Sequence, residues 1–297
     1  MWQIIGTGAI GCLWAANLKR TGQDVQLVSR RALLSDTLHY QDLQQQRHQF
    51  KISSATRLIN STDPLLVCVK ATQVKQAIQE RLKMIGPQQV IILMHNGMGC
   101  AEQIQTLLPN NPIICATTAN ASLLHAPLTV QQTGLGITYL GPFNQLAEQY
   151  ENIVEPLKLA LGNTYWVKDI KQKLWLKLLI NAVINPLTAI YQINNGQLLE
   201  YRFHQQIEEI SREALKVARA ENLSLKEDEL VKIIKQVITQ TALNYSSMNR
   251  DIHFKRATEN EYISGYLVKK AAHHHLEIPA IKSLYEKIAA LEKQSGC

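Results

Sequence analysis

Aromatic side chains make up only 6% of these 297 residues, and there are only 14 glycines. With so few large rings the core must be built from aliphatic side chains, and with so few glycines any cluster of them marks a special backbone. Neither sign of charge dominates: 31 Lys+Arg against 24 Asp+Glu leave +7, an excess that suits an anionic small molecule as well as nucleic acid and selects neither. The five cysteines, Cys12, Cys68, Cys100, Cys115 and Cys297, have no Cys-x-x-Cys spacing. A disulfide scaffold and a zinc ribbon are therefore excluded, and reduced thiols in a cytoplasmic protein are expected. Uninterrupted apolar runs such as 65–69 and 90–94 have about a quarter of the length that a bilayer span requires, so no membrane span is expected. The first apolar segment lacks a preceding basic region, which argues against a secretory signal. Low complexity is confined to a glutamine-rich patch at 41–49, and the 46% hydrophobic content excludes wholesale disorder.

Up to about Tyr165, short apolar runs alternate with helical patterns, the rhythm of a parallel sheet with crossover helices. Strands are expected at 2–5, 25–28, 65–69, 90–94 and 113–116, and helices at 10–20, 73–84 and 101–108. The β-branched stretch 121–141, with Gly134 and Gly136, predicts a hairpin added to one edge of that sheet. Beyond Trp166 the period changes to 3.6, with breaks near Asn194-Asn195-Gly196, Asn222 and Pro279, so the second half is expected to be helical throughout. Two domains follow, 1–167 and 168–297, with the boundary placed near Lys168.

Three of the glycines fall within six residues. The strand at 2–5 leads directly into Gly6, Thr7, Gly8, Ala9, Ile10 and Gly11 and then a helix. Gly6 permits a tight turn, Gly8 admits a pyrophosphate close to the backbone, and Gly11 lets the helix pack on the strand, while the helix N-terminus offers its free amides to the anion. This points to a dinucleotide site; the alternative is a tight turn in some other α/β protein. At the end of the second strand, where selectivity for NAD calls for an acid, stand Arg30 and Arg31. Planar, bidentate donors suit a 2′-phosphate, so NADPH is expected, with Lys70 at the same sheet edge adding charge. The alternative is that all three are solvated surface cations.

The segment 174–191, LWLKLLINAVINPLTAIY, carries Lys177, Asn181 and Asn185 at i, i+4 and i+8 on an otherwise apolar helix. A solvent face would mix in Glu; one ammonium and two carboxamides instead suit a polar cleft, although a narrow exposed face of accidental composition would read the same. Lys177 is the stripe's proton donor, and partial desolvation would bring its pKa of ~10.4 toward neutral pH. Pro186 predicts a kink at Asn185.

Several motifs together resemble the ketopantoate reductase family over nearly the whole length. They are GTGAIG at 6–11, VCVKA around Lys70, HNGMG at 95–99, the helix at 173–191, NNG at 194–196, YSSMNRDI at 245–252 and TENEYISGY at 258–266. The resemblance implies an α/β Rossmann-type parallel-sheet domain followed by an all-helical domain like that of 6-phosphogluconate dehydrogenase, with substrate in the cleft between them. It implies reduction of the 2-keto group of ketopantoate by NADPH to D-pantoate, a step toward pantothenate and coenzyme A. It makes Lys177 the general acid, Glu259 the acid that supports binding and catalysis, and Asn96, Asn181, Asn185, Asn195, Asn244 and Ser247 the substrate contacts. Residues 6–11, Arg30, Lys70 and Asn96 would hold the cofactor. The chain departs from the family at 36–57, which is glutamine-rich where a glycine-containing hairpin is common, and at Asn260 and Glu261, which replace the more usual Ile and Asp.

Alternatives remain at this level. Asn96-Gly97 also reads as an ordinary turn, and Glu259 as a helix N-terminal acid that complements the dipole. The substrate can be another 2-keto acid, and a non-catalytic NADPH-sensing protein is the reading from a different class. His273-His274-His275 are expected to point about 100° apart on a helix, unable to converge on one ion, so no metal is expected. Basic segments around Lys216 and Lys232 are interrupted by Glu, so no nucleic-acid stripe is expected either.

Overall fold

The computed structural model describes residues 1–294, so the expectation for Cys297 lies outside the described residues. In chain order the elements are β1 (Trp2–Ile5), α1 (Ala9–Arg20), β2 (Val25–Val28), β3 (Thr37–Gln41), β4 (Arg47–Lys51), β5 (Ser53–Ala55), β6 (Leu65–Val67), α2 (Ala71–Gln79), β7 (Ile91–Met94), α3 (Cys100–Leu107) and β8 (Ile113–Thr118). There follow β9 (Ala121–Ala126), β10 (Thr129–Gly134), β11 (Thr138–Pro142), α4 (Val154–Leu161) and β12 (Thr164–Trp166). The helices α5 (Ile170–Tyr191), α6 (Tyr201–Ala220), α7 (Glu227–Gln240), α8 (Ser247–His253), α9 (Ser264–His273) and α10 (Pro279–Gln294) complete the chain. Two compact units result: Met1–His95 with Cys100–Lys173, and Asn96–Gly99 with the chain from Leu174 onward. The division thus falls inside α5, and four residues just past β7 group with the helices.

The first unit is an eight-stranded sheet in the order β12-β11-β8-β7-β6-β1-β2-β5. Every pair from β5 to β8 is parallel, as the alternating pattern requires; β11 pairs antiparallel with β8, and β12, parallel to β11, shares its reversed direction. Ile4 stands in register with Leu27 and Leu66, and these join α1 in one apolar cluster. The helix at 73–84 proves shorter than its pattern: α2 stops at Gln79, and a separate 3-10 turn covers Leu82–Met84.

The hairpin at 121–141 does not extend the main sheet. Its first two strands, β9 and β10, build a second sheet, β4-β3-β10-β9, while β11 inserts beside β8. The physical reason lies in α1, whose residues 11–18 are all buried. A helix that is apolar all round must be covered on more than one face, and Leu38, Tyr40 and Val130 of the second sheet, with Leu128 from its β9–β10 turn, share its cluster. The glutamine-rich segment is the β3-β4 hairpin. It turns without glycine because the Asp42 carboxylate accepts from the Gln44 and Gln46 amides at 3.0 and 2.9 Å, with Gln45 at φ 64°.

In the second unit α5 is the central helix. Trp175, Leu178, Leu179, Ala182, Val183 and Leu187 lie in one cluster with residues of α6, α7, α9 and α10. Among the described residues α5 is the one helix long and apolar enough to cross a membrane, and 61% of its most apolar window is buried inside the protein. That content is accounted for by core packing, which a count of uninterrupted runs overlooks. The helix continues unbroken through Pro186 to Tyr191, so Asn185 stays in helical register. Pro279, read as a break, is the first residue of α10, where its missing N–H costs nothing.

The glycines of the first loop differ in what surrounds them. A Cβ on Gly11 would lie 1.9 Å from the Gly6 carbonyl oxygen, whereas one on Gly8 would meet no protein atom within 4 Å. Gly11→Ala is therefore expected to cost about 1–3 kcal/mol through overpacking, and Gly8→Ala no more than about 1 kcal/mol. Urea unfolding of the two variants checks this; equal losses would show that Gly11 is not a close-approach position.

Candidate active site

In the first unit the predicted nucleotide residues occupy the carboxyl edge of the parallel strands. Gly6 has φ 113° and its missing Cβ faces the Cys68 backbone at 3.0 Å, so the chain turns close against the end of β6. Gly8 is the N-cap of α1, without a side-chain cap and with no acid in the first turn. Open space at Gly8 and uncapped amides at Thr7–Ile10 fit a phosphate group. Ser29, 9% exposed, directly follows β2, and Arg30 and Arg31 are exposed beyond it. Lys70, partly buried, is the N-cap of α2. Burial pushes the Cys12 thiol beneath this loop up to about 12 and the Cys68 thiol upward too, and both are free thiols.

The second unit brings three predicted residues together from distant parts of the chain. Asn96 Nδ2 donates to Glu259 Oε2 at 3.0 Å. Lys177 is drawn into the same group: burial pushes its pKa down from 10.5 to about 8, and the Glu259 carboxylate pulls it back up. Glu259 is 8% exposed and precedes a 3-10 turn at Asn260–Tyr262 without capping it. The alternative in which it merely complements a helix dipole loses its basis, because the carboxylate faces Asn96.

This arrangement depends on backbone fit that sequence reading did not anticipate. Gly97, at φ 80°, lies so close to Tyr262 that a Cβ would come within 2.4 Å of its carbonyl oxygen, and the Met98 amide donates to that oxygen at 2.9 Å. On the other side, Glu292 Oε1 accepts from the Thr258 amide at 2.7 Å. The two unusual residues act as a pair on α10: Asn260 Nδ2 donates to the Tyr285 carbonyl at 2.9 Å, and Glu261 accepts from the Tyr285 hydroxyl at 2.5 Å. No local signal reveals these contacts, since their partners lie 24 to 34 residues away.

Along α5, Asn181 is half-buried and Asn185 is 5% exposed. Lys177 to Asn185 spans about 12 Å of helix axis. At the Asn185 end, Thr188 Oγ1 lies 2.7 Å from Ser246 Oγ, and Ser246 caps α8 by accepting from the Asn249 amide at 3.1 Å. Ser247, exposed, is the first residue of α8 and so stands beside this end of the stripe. Asn195 and exposed Asn244 are joined through backbone, Asn195 N to Asn244 O at 2.9 Å, while Asn195 Nδ2 donates to Thr241 Oγ1 at 2.9 Å. Asn195 is thus engaged in a structural bond, and its buried Oδ1 has no protein partner.

The histidine run needs a correction. Ligand atoms of Glu221, His273 and His274 lie within 4.8 Å of one another, so two consecutive histidines do converge. The 100° rule fails because α9 ends at His273, and His274 is its C-cap at φ −98°, ψ 10°. Glu221 already holds His274 Nε2 at 2.7 Å and the Lys270 ammonium at 3.0 Å.

Comparison with known proteins agrees with this architecture. Residues 2–145 match the family described as ketopantoate reductase PanE/ApbA, and residues 169–292 match its C-terminal part. The 2-dehydropantoate 2-reductase of Vibrio cholerae is 38% identical over 290 residues, 98% of this chain and 97% of that protein. That of Bacillus subtilis is 30% identical over 99% of this chain and 98% of its own. Among solved structures, a probable 2-dehydropantoate 2-reductase from Bacillus subtilis superposes with a TM-score of 0.85 at 28% identity, covering 98% of this chain and 99% of that one. A D-mandelate dehydrogenase with NADH and anilino(oxo)acetate gives 0.92 at 23% identity with both chains fully covered, a likeness of fold alone. The chain belongs to the ketopantoate reductase family.

The Lys177–Glu259 pair yields a titration test. Wild-type Lys177 should deprotonate near pH 8, and Glu259→Gln, which removes the stabilising anion, should lower that midpoint further. NMR of the lysine ammonium against pH measures both; a wild-type midpoint near 10.5 would show that Lys177 is solvated.

Proposed function

We propose that this chain is an NADPH-dependent 2-dehydropantoate 2-reductase. The observation that carries the reading is the grouping of Lys177, Glu259 and Asn96, an ammonium with a pKa of about 8 held beside a buried carboxylate. The 2-dehydropantoate 2-reductases that it resembles over their full length supply the substrate.

The first unit holds the dinucleotide, and the second holds the substrate. Phosphate oxygens are received by the open backbone at Gly8 and the uncapped amides of α1. Because β2 is followed by Ser29-Arg30-Arg31 with no acid to accept from a ribose hydroxyl, the discriminating contact is from Arg30 to a 2′-phosphate, with Lys70 adding charge. A bound NADPH supplies a hydride for the C2 carbonyl carbon.

Everything else falls to the chain's own side chains. Lys177 is protonated at neutral pH and gives its proton to the carbonyl oxygen as negative charge develops there. Reduced solvation brings its acidity close to the working pH, while Glu259 keeps it from losing the proton before substrate arrives. Asn96 holds the Glu259 carboxylate in place at 3.0 Å. Asn181 and Asn185 each donate and accept, which suits the hydroxyl and carboxylate of the substrate. Ser247 and Asn244 serve the carboxylate beside the Asn185 end. After the proton leaves, the neutral amine recovers one from water.

A reductase of another 2-keto acid is the second reading, since the fold itself also occurs in a D-mandelate dehydrogenase. The test is NADPH oxidation with ketopantoate against ketoisovalerate, which lacks the hydroxymethyl group. Ketopantoate should be reduced much faster; equal rates, or none, would remove the substrate assignment. Lys177→Ala should lower kcat by roughly 10²–10⁴, and wild-type kcat/KM should fall on the alkaline side with a midpoint near 8. A variant with undiminished kcat would move the proton donor elsewhere.

A further inference from the structure

Beneath the residues assigned to cofactor choice lies a buried cation that the reading above does not use. Arg81 is 4% exposed and sits in the break between α2 and the following 3-10 turn. Its Nη1 donates to the Ala77 carbonyl at 2.9 Å and its Nη2 to the Ser29 carbonyl at 3.3 Å. Among the described residues its one carboxylate contact, Glu80 at 3.3 Å, is to a side chain 41% exposed, and its Nε has no hydrogen-bond partner. Removing a guanidinium from water is costly, and a solvent-screened acid offsets little of that. A long aliphatic side chain would fill the same volume without that cost, so the charge and the planar fork need a reason.

The reason is in what the fork grips. Ser29 directly follows β2 and precedes Arg30: its amide donates to the Ala55 carbonyl at 3.0 Å and its hydroxyl donates to the Arg31 carbonyl. Arg81 closes this turn from below by tying its carbonyl to α2. Two carbonyls, of Ala77 on α2 and of Ser29 after β2, are spanned by two nitrogens of one rigid guanidinium, a fixed planar fork that the single nitrogen of a lysine does not offer. The same group places a weakly compensated positive charge under the exposed Arg30 and Arg31.

We infer that Arg81 is a specificity-determining positioning residue, holding the Ser29–Arg31 turn and adding positive potential so that Arg30 meets a nucleotide's 2′-phosphate. This rests on the assignment of Arg30 as the 2′-phosphate contact. The test is calorimetric titration of the full chain with adenosine 2′,5′-bisphosphate and with 5′-AMP, for wild type, Arg81→Lys, Arg81→Met and Arg30→Ala. Wild type should prefer the bisphosphate. Both Arg81 variants should lose tenfold or more for the bisphosphate while 5′-AMP stays within twofold, with Lys the milder because it keeps the charge. Thermal unfolding without ligand confirms that each variant is folded, and if Arg81→Met is not, Arg81→Lys decides. If the two nucleotides weaken in step in Arg81→Lys, or neither changes, Arg81 is a packing residue and the proposal fails. A different result identifies a different failure: wild type without preference, or Arg30→Ala that retains it, overturns the Arg30 assignment and the proposal with it.

Discussion

An ammonium on a core helix must find a carboxylate or give up its proton, and the second unit is arranged around that constraint. Lys177 rides on α5, whose other faces are packed into the aliphatic core. Burial pushes its pKa down, and Glu259 opposes this. The Glu259 carboxylate is held in turn by the amide of Asn96, and bringing Asn96 within reach requires a residue at 97 with no side chain. One glycine contact, Gly97 against the Tyr262 carbonyl, thus stands behind the protonation state of a lysine 80 positions along the chain.

The first unit obeys a comparable steric rule. Gly11 lets α1 lie against the turn at Gly6, and that closeness leaves the backbone at Gly8 open. The helix is buried along its length because a second sheet covers the face that the main sheet leaves uncovered. Local chemistry suffices for that second sheet to turn where glycine is missing: the Asp42 carboxylate gathers the amides of its own hairpin. The glutamine-rich departure from the family pattern therefore changes the means of turning without removing the hairpin.

The unusual pair Asn260 and Glu261 shows the same economy. Both bind Tyr285, one through its backbone and one through its hydroxyl, so the turn that follows Glu259 is fastened to α10. The hydrogen bond to the Glu261 carboxylate, with burial adding to it, pushes the Tyr285 hydroxyl up to about 12, which keeps it a donor to that acid over the whole physiological range.

Periodicity was enough to read most strands of the parallel sheet, α1, and the helical second half, because a strand buried on both faces and a helix with one apolar face write their spacing directly into the chain. The glycine loop, the missing acid after β2 and the polar stripe on α5 were legible for the same reason: each is a local pattern. Sequence did not place β9 and β10 in a separate sheet, nor bring His273 and His274 together past the end of α9. It did not reveal that Gly97 must face Tyr262. Those outcomes depend on which surfaces remain uncovered once other elements have packed, and on contacts between residues far apart in the chain. Residue type and spacing determined which chemistry was available; tertiary packing alone decided that an amide, a carboxylate and an ammonium from three separate segments share one environment, and so what pKa the ammonium has.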